Sequence, residues 1–169
     1  MPASCSPHLD NNTKTVRADT PFSNYPQLYY VLVGVPSLVL TGAHAVYAMR
    51  FASVVISAGL IALGLFLLGR YHPRRLPLAA SLVALTPMVL FLSGVVDSSG
   101  MEITAGFAAW CGGLCVVETE TVPRALAIWT SLSFAVFILS RPLSPASAAV
   151  IVVVLATLAG WRRTRALLR

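Results

Sequence analysis

Along the chain, apolar residues gather into long windows that charged residues interrupt only at intervals. Windows without formal charge cover 28–49, 51–69, 76–96, 103–117, 125–140 and 142–161, histidine counted as neutral. A helix needs about 20 apolar residues to cross a hydrocarbon core of roughly 30 Å. The last five windows therefore predict five transmembrane helices, near 47–69, 76–96, 102–117, 124–140 and 145–161. The two shorter ones meet the requirement by borrowing flanking residues or tilting less. The first window is broken by Pro36 and by the turn-like run Thr41-Gly-Ala-His44. Its apolar part reads as a juxtamembrane helix over 28–41, with a short true span as the alternative. Pro87 falls inside the 76–96 window and predicts a kink there.

Residues 1–27 are polar and irregular, and no apolar run follows a basic start, so they do not read as a signal peptide. The expected organisation is a polar extracytoplasmic segment, a helical domain over 28–161 and a basic cytoplasmic tail over 162–169. Composition agrees with the windows. Of 169 residues, 57% are hydrophobic and 11% charged, and mean hydropathy is +0.79. Soluble domains are roughly 25% charged, so a chain like this one needs lipid as its solvent. The fold class expected is all-α: a polytopic integral membrane bundle of about five transmembrane helices and one juxtamembrane helix.

The net charge of +6 could suggest nucleic acid until the charges are placed. Arg70, Arg74 and Arg75 form one basic cluster, and Arg162, Arg163, Arg165 and Arg169 form another. Four predicted spans separate the clusters, so both fall on one face, as the positive-inside rule requires for the cytoplasm. The loop from Asp97 to Glu102 carries no basic residue and falls on the outer face, beside Arg141. With five spans the N-terminus is also outside; with six it is inside. The positive charge thus orients the chain and meets anionic headgroups. No nucleic-acid partner is expected.

Motifs of soluble enzymes are missing from the sequence. Cys111 and Cys115 stack on one helical face, a spacing that suits buried thiols better than a zinc site. Ala105, Ala109 and Gly113 recur every four residues and predict close helix packing within the bundle. Candidate chemistry sits at the outer rim. Asp97 and Glu102 flank a loop too short to leave the interface. Partial desolvation there suits a carboxylate to acid–base work or cation binding. The plainer alternative is a turn aspartate and a helix-start glutamate favoured by the macrodipole. Arg50 and Arg141 could grip a lipid phosphate or simply reach the headgroups. Tyr25, Tyr29, Tyr30 and Tyr47 read as interfacial aromatics first and as ligand-stacking groups second.

Two strings carry a family resemblance: Asn24-Tyr-Pro-Gln-Leu-Tyr-Tyr-Val-Leu-Val-Gly-Val-Pro36 and Ala45-Val-Tyr-Ala-Met-Arg50. Two further stretches agree with them, Ser93-Gly-Val-Val-Asp-Ser-Ser-Gly-Met-Glu-Ile103 and Ser140-Arg-Pro-Leu-Ser-Pro145. Together they resemble the actinobacterial multi-pass membrane proteins grouped as domain of unknown function 2142, with Gln27 where that pattern has a second proline. This family in turn resembles glycosyltransferases of the GT-C class, which use polyprenyl-phosphate sugar donors on the extracytoplasmic side. The resemblance implies a plasma-membrane protein of cell-envelope glycan assembly. Asp97 and Glu102 are its implied catalytic carboxylates, one acting as a base or as a ligand to a divalent metal. Arg50, Arg141, Tyr29 and Tyr30 are its implied donor-binding residues. GT-C proteins open with a transmembrane helix and an acidic Asp-Glu loop. Here no such helix precedes residue 28, and Asp10 and Asp19 lie in no such motif, which implies a truncated member. A non-catalytic scaffold or degenerate remnant is the other expectation.

Overall fold

The computed structural model describes residues 28–167, with side chains as far as Gly160. The polar segment 1–27, including Cys5, Asp10 and Asp19, and the arginine side chains of the tail lie outside the described residues. Seven α-helices occur among those described: α1 (Leu28–Gly34), α2 (Gly42–Tyr71), α3 (Leu76–Ala84), α4 (Pro87–Ser93), α5 (Ser98–Glu118), α6 (Arg124–Ile138) and α7 (Ser144–Leu167). A 3-10 turn at Val35–Leu38 follows α1, opened by Pro36, which has no N–H to leave unpaired. Thr41 is extended and Gly42 takes a φ of 63°, a left-handed value that turns the chain sharply into α2. No strand occurs among the described residues.

The bundle is built around α5, which packs against α2, α4, α6 and α7. Small residues let it do so. A side-chain carbon added at Gly64 of α2 would come within 2.8 Å of the Phe107 ring and 3.2 Å of the Ala108 backbone. One added at Gly106 would lie 3.1 Å from Phe137 of α6, while Gly112 abuts Thr130 and Gly113 abuts Leu155 of α7. Ala105 and Ala109 are fully buried. The expected close packing at these positions is therefore intramolecular. The same contacts fix direction. Gly64 lies opposite Ala108, and Cys115 Sγ donates to Leu67 O at 3.4 Å, so α2 and α5 run parallel. Ala148 packs near Ala105 and Leu155 near Gly113, so α7 runs the same way. The order of Phe137 and Thr130 makes α6 antiparallel.

Among the described residues two helices, α2 and α5, are long and apolar enough to cross a membrane, and a third crossing exists if α3 and α4 form one bent span. That is fewer than the five expected, and the reason lies at the helix ends. Pro123 and the Ser140-Arg-Pro142 turn confine α6 to 15 residues, about 22 Å. The apolar stretch Ser144–Gly160 falls short in the same way. Pro87 does more than kink its window: α3 and α4 meet at 64°. Thr86 is held extended before the proline, with a ψ of 159°, which ends one helix and starts the next. Together the two still cover ground. Ser53 Oγ donates to Ser93 O at 3.2 Å and Val95 O at 3.1 Å, eighteen residues of α2 (about 27 Å) from Tyr71.

Hydroxyls inside the bundle are mostly satisfied by their own helices. Ser81, Ser93, Thr104, Ser133 and Ser140 each donate to a carbonyl three or four residues earlier. This lets polar side chains sit in apolar surroundings without desolvated, unpaired groups.

Candidate functional site

One end of the bundle gathers the residues that the sequence singled out. Asp97 is extended (φ −146°, ψ 141°) and directly precedes α5, without capping it through its side chain. Among the described residues its carboxylate makes no hydrogen bond or salt bridge. Ser98, the first residue of α5, is 1% exposed, and its Oγ has no partner. An uncapped helix start, a free carboxylate and an unused buried hydroxyl thus meet at one rim.

Glu102 stands in a different position. Its Oε2 accepts from Arg141 Nη1 at 3.3 Å, and its Oε1 accepts from Ser144 Oγ at 2.8 Å. Arg141 lies in the short turn between α6 and α7, whose Ser144 N–H donates back to Arg141 O. The carboxylate therefore pins that turn to the second turn of α5. Charge assistance makes both bonds stronger than neutral ones. Two residues assigned separate roles from sequence, an acid and a phosphate-binding arginine, here hold each other.

Tyr29 is fully buried and not on the interfacial surface. Its hydroxyl lies 3.1 Å from Ser53 Oγ and donates to Val95 O at 3.4 Å, tying α1 to α2 and to the segment before Asp97. Burial raises its pKa above the usual tyrosine value; the Ser53 hydrogen bond works against this, and the Asp97 charge adds to it. Tyr30 meets Tyr29 edge-on at 5.3 Å and is 37% exposed. Arg50, one turn before Ser53, is exposed and makes no hydrogen bond or salt bridge among the described residues. Tyr47 is also exposed. The structure thus joins Glu102 to Arg141, and Tyr29 to the Asp97 segment, and leaves Arg50 separate on the rim.

Among the described residues no three His, Cys, Asp or Glu side chains group to hold a metal ion. With Glu102 engaged, Asp97 offers a single free carboxylate, so no divalent site forms among the described residues. Cys111 and Cys115 are free and buried in one cluster with Leu67, Leu68 and Leu126, where thiols act as small hydrophobes.

The opposite end holds a pair that sequence reasoning missed. His72 Nε2 lies 3.4 Å from Glu118 Oε1, and the two side chains are 3% and 11% exposed. His72 Nδ1 meets the backbone of Arg74, at 3.1 Å from its N and 3.0 Å from its O. The signal was a histidine inside a basic turn and a glutamate closing an apolar window.

A family model described as predicted membrane protein (DUF2142) matches residues 2–167. No curated protein and no solved structure matches the chain. The match takes in nearly the whole sequence, including both ends of the bundle and every candidate site residue. The apolar helices agree with its description, and contact with the lipid bilayer follows from it. The chain belongs to the DUF2142 family of predicted membrane proteins.

Proposed function

We propose that the chain works as a GT-C-like glycosyltransferase of the actinobacterial cell envelope, at the rim where Asp97 lies. The supporting observation is the free Asp97 carboxylate beside the unpartnered, buried Ser98 hydroxyl at the uncapped start of α5. In this reading an acceptor hydroxyl attacks the anomeric carbon of a polyprenyl-phosphate sugar. The bond to the donor phosphate breaks, the phosphate leaves with the electron pair, and Asp97 takes the acceptor's proton. Arg50 neutralises the leaving phosphate, and Tyr30 packs against the donor. Glu102 and Arg141 fix the turn that walls the site, and Tyr29 positions the segment carrying Asp97.

The topology proposed with it has five traverses: α2, the bent α3–α4 pair, α5, α6 and α7, with α1 juxtamembrane. The parallel course of α2, α5 and α7 supports this, because it sends the 70–75 loop and the C-terminal end of α7 toward one end. That end is cytoplasmic in the plasma membrane, and residues 1–27 are extracytoplasmic.

The purified chain with a polyprenyl-phosphate sugar should transfer the sugar, and Asp97→Asn should cut the rate at least 100-fold, the loss typical of a missing general base. Full activity in Asp97→Asn would overturn the assignment. The second reading, a non-catalytic scaffold, is favoured by the fact that Glu102 and Tyr29 are already engaged in packing contacts. Absence of transfer in the unaltered chain would select it.

A further inference from the structure

The bundle carries a lateral groove between α2 and α6. Helices α2 and α6 leave between them a cavity of about 590 Å³ lined by Val55, Gly59, Phe66, Trp129, Ser133 and Val136, among others. Its lining is apolar. The one hydroxyl, on Ser133, already donates to Trp129 O at 2.9 Å. Water has nothing to bind there, because a buried water needs two to four polar partners. Val55, Phe66 and Trp129 are 53%, 58% and 43% exposed, so the groove opens sideways into the bilayer.

The groove has a charged end. Arg70 follows Phe66 by four residues, one turn further along α2 and about 40° round its axis, and so continues the groove's face. It is exposed and, like Arg74 and Arg75 beyond it, has no salt bridge among the described residues. His72, two residues further on, already meets Glu118. From Phe66 to Val55 the groove runs about 16 Å, close to the roughly 15 Å depth of one leaflet.

We infer that this groove holds one anionic phospholipid of the leaflet at the basic end. A hydrocarbon chain lies between α2 and α6, and the phosphate sits on Arg70. Charge complementarity selects this occupant over a second copy of the chain. A symmetric pair joined at this face would bring two 70–75 loops together, six arginines at one level with no carboxylate to offset them, Arg70 itself meeting only the Tyr71 ring at 5.9 Å. The inference does not depend on the proposed transferase, whose site lies at the other end.

The full chain, reconstituted in nanodiscs of equal phosphatidylglycerol and phosphatidylcholine, tests it through the lipids it retains in native mass spectrometry. Phosphatidylglycerol should be retained about fivefold over phosphatidylcholine, the preference expected from one guanidinium at the surface. Arg70→Gln should bring the two lipids to parity without reducing phosphatidylcholine. Gly59→Leu should reduce retention of both. Gly59 has open space around it, so the added side chain enters the groove without disturbing the helices. Equal retention of the two lipids by the unaltered chain overturns the inference, as does either variant leaving its measured quantity unchanged. Displacement of phosphatidylglycerol by inorganic phosphate would reveal a phosphate site independent of the groove and overturn it too. A lipid-free dimer that Gly59→Leu dissociates would assign the groove to a second copy instead.

Discussion

The two ends of α5 solve the same problem differently. Each places one α5 carboxylate against a cationic or titratable partner from another part of the chain. At the acidic end Glu102 meets Arg141, and these side chains are 19% and 34% exposed. At the basic end Glu118 meets His72, almost sealed from solvent. The backbone differs in the opposite sense. The first turn of α5 is jammed against the end of α4: a carbon added at Gly100 would lie 2.6 Å from Leu92 O and 3.0 Å from Leu92 C. Gly69, in the last turns of α2 at the other end, has nothing within 4 Å. The acidic end thus has a rigid frame around accessible charges. The basic end has a buried pair beside an α2 face that stays open at Gly69, where lipid can approach. Rigid support with open polar groups is what a reactive site requires.

The largest test of this contrast is Gly100→Val. The clashing atoms belong to the backbone and cannot swing aside, so the bundle should lose about 3 kcal/mol, the upper range for overpacking. Gly69→Ala should instead shift stability by less than about 1 kcal/mol, toward the stable side, because alanine is the better helix former. Thermal unfolding in one detergent compares the two directly. Equal shifts would abolish the asymmetry between the ends.

The ion pairs give a smaller effect with the opposite ranking. Glu102→Ala combined with Arg141→Ala in a double-mutant cycle should show a coupling of about 0.5–1 kcal/mol, as expected for a partly exposed pair. The cycle for His72→Ala and Glu118→Ala should exceed it, at about 2 kcal/mol, because its groups are shielded from water. Salt separates them further. Coupling at the acidic end should weaken in high salt and that at the basic end should hold.

How much of this the sequence disclosed depends on distance along the chain. The break at Pro87 and the packing role of Ala105, Ala109 and Gly113 were legible because each depends on residues within one or two turns. The angle of 64° was not, since a proline marks where a helix breaks and tertiary packing sets the bend. Counting charge-free windows overestimated the spans that length and composition support. Such windows include Leu85-Thr86, Leu139-Ser140 and Pro142-Leu143, which carry no charge but are not helical. The rim residues were found, but their relations were not. Glu102 and Arg141 are 39 positions apart, and nothing local pairs them. Tyr29 looked like a belt aromatic because burial of a tyrosine depends on a distant acceptor, here Ser53 and the carbonyl of Val95.

Tyr29 also provides the mildest test of the contrast, because its hydroxyl is one of the bonds that stiffen the acidic end. Tyr29→Phe should cost about 1 kcal/mol, the net worth of a buried hydrogen bond. Ser53 keeps its bonds to the carbonyls of Ser93 and Val95, so no new orphan is left behind. The change should also appear in the pH profile. The folded-state pKa of Tyr29 is raised above the ordinary value of 10.0, so folding favours the neutral phenol. That contribution is fully present below pH 10 and is lost as pH rises through the folded value. The unaltered chain should therefore lose stability at alkaline pH more steeply than Tyr29→Phe, and one phenolate band should appear late in an ultraviolet titration. Parallel alkaline profiles for the two proteins would mean that Tyr29 ionises freely. The acidic end would then be no stiffer at α1 than the basic end is at Gly69.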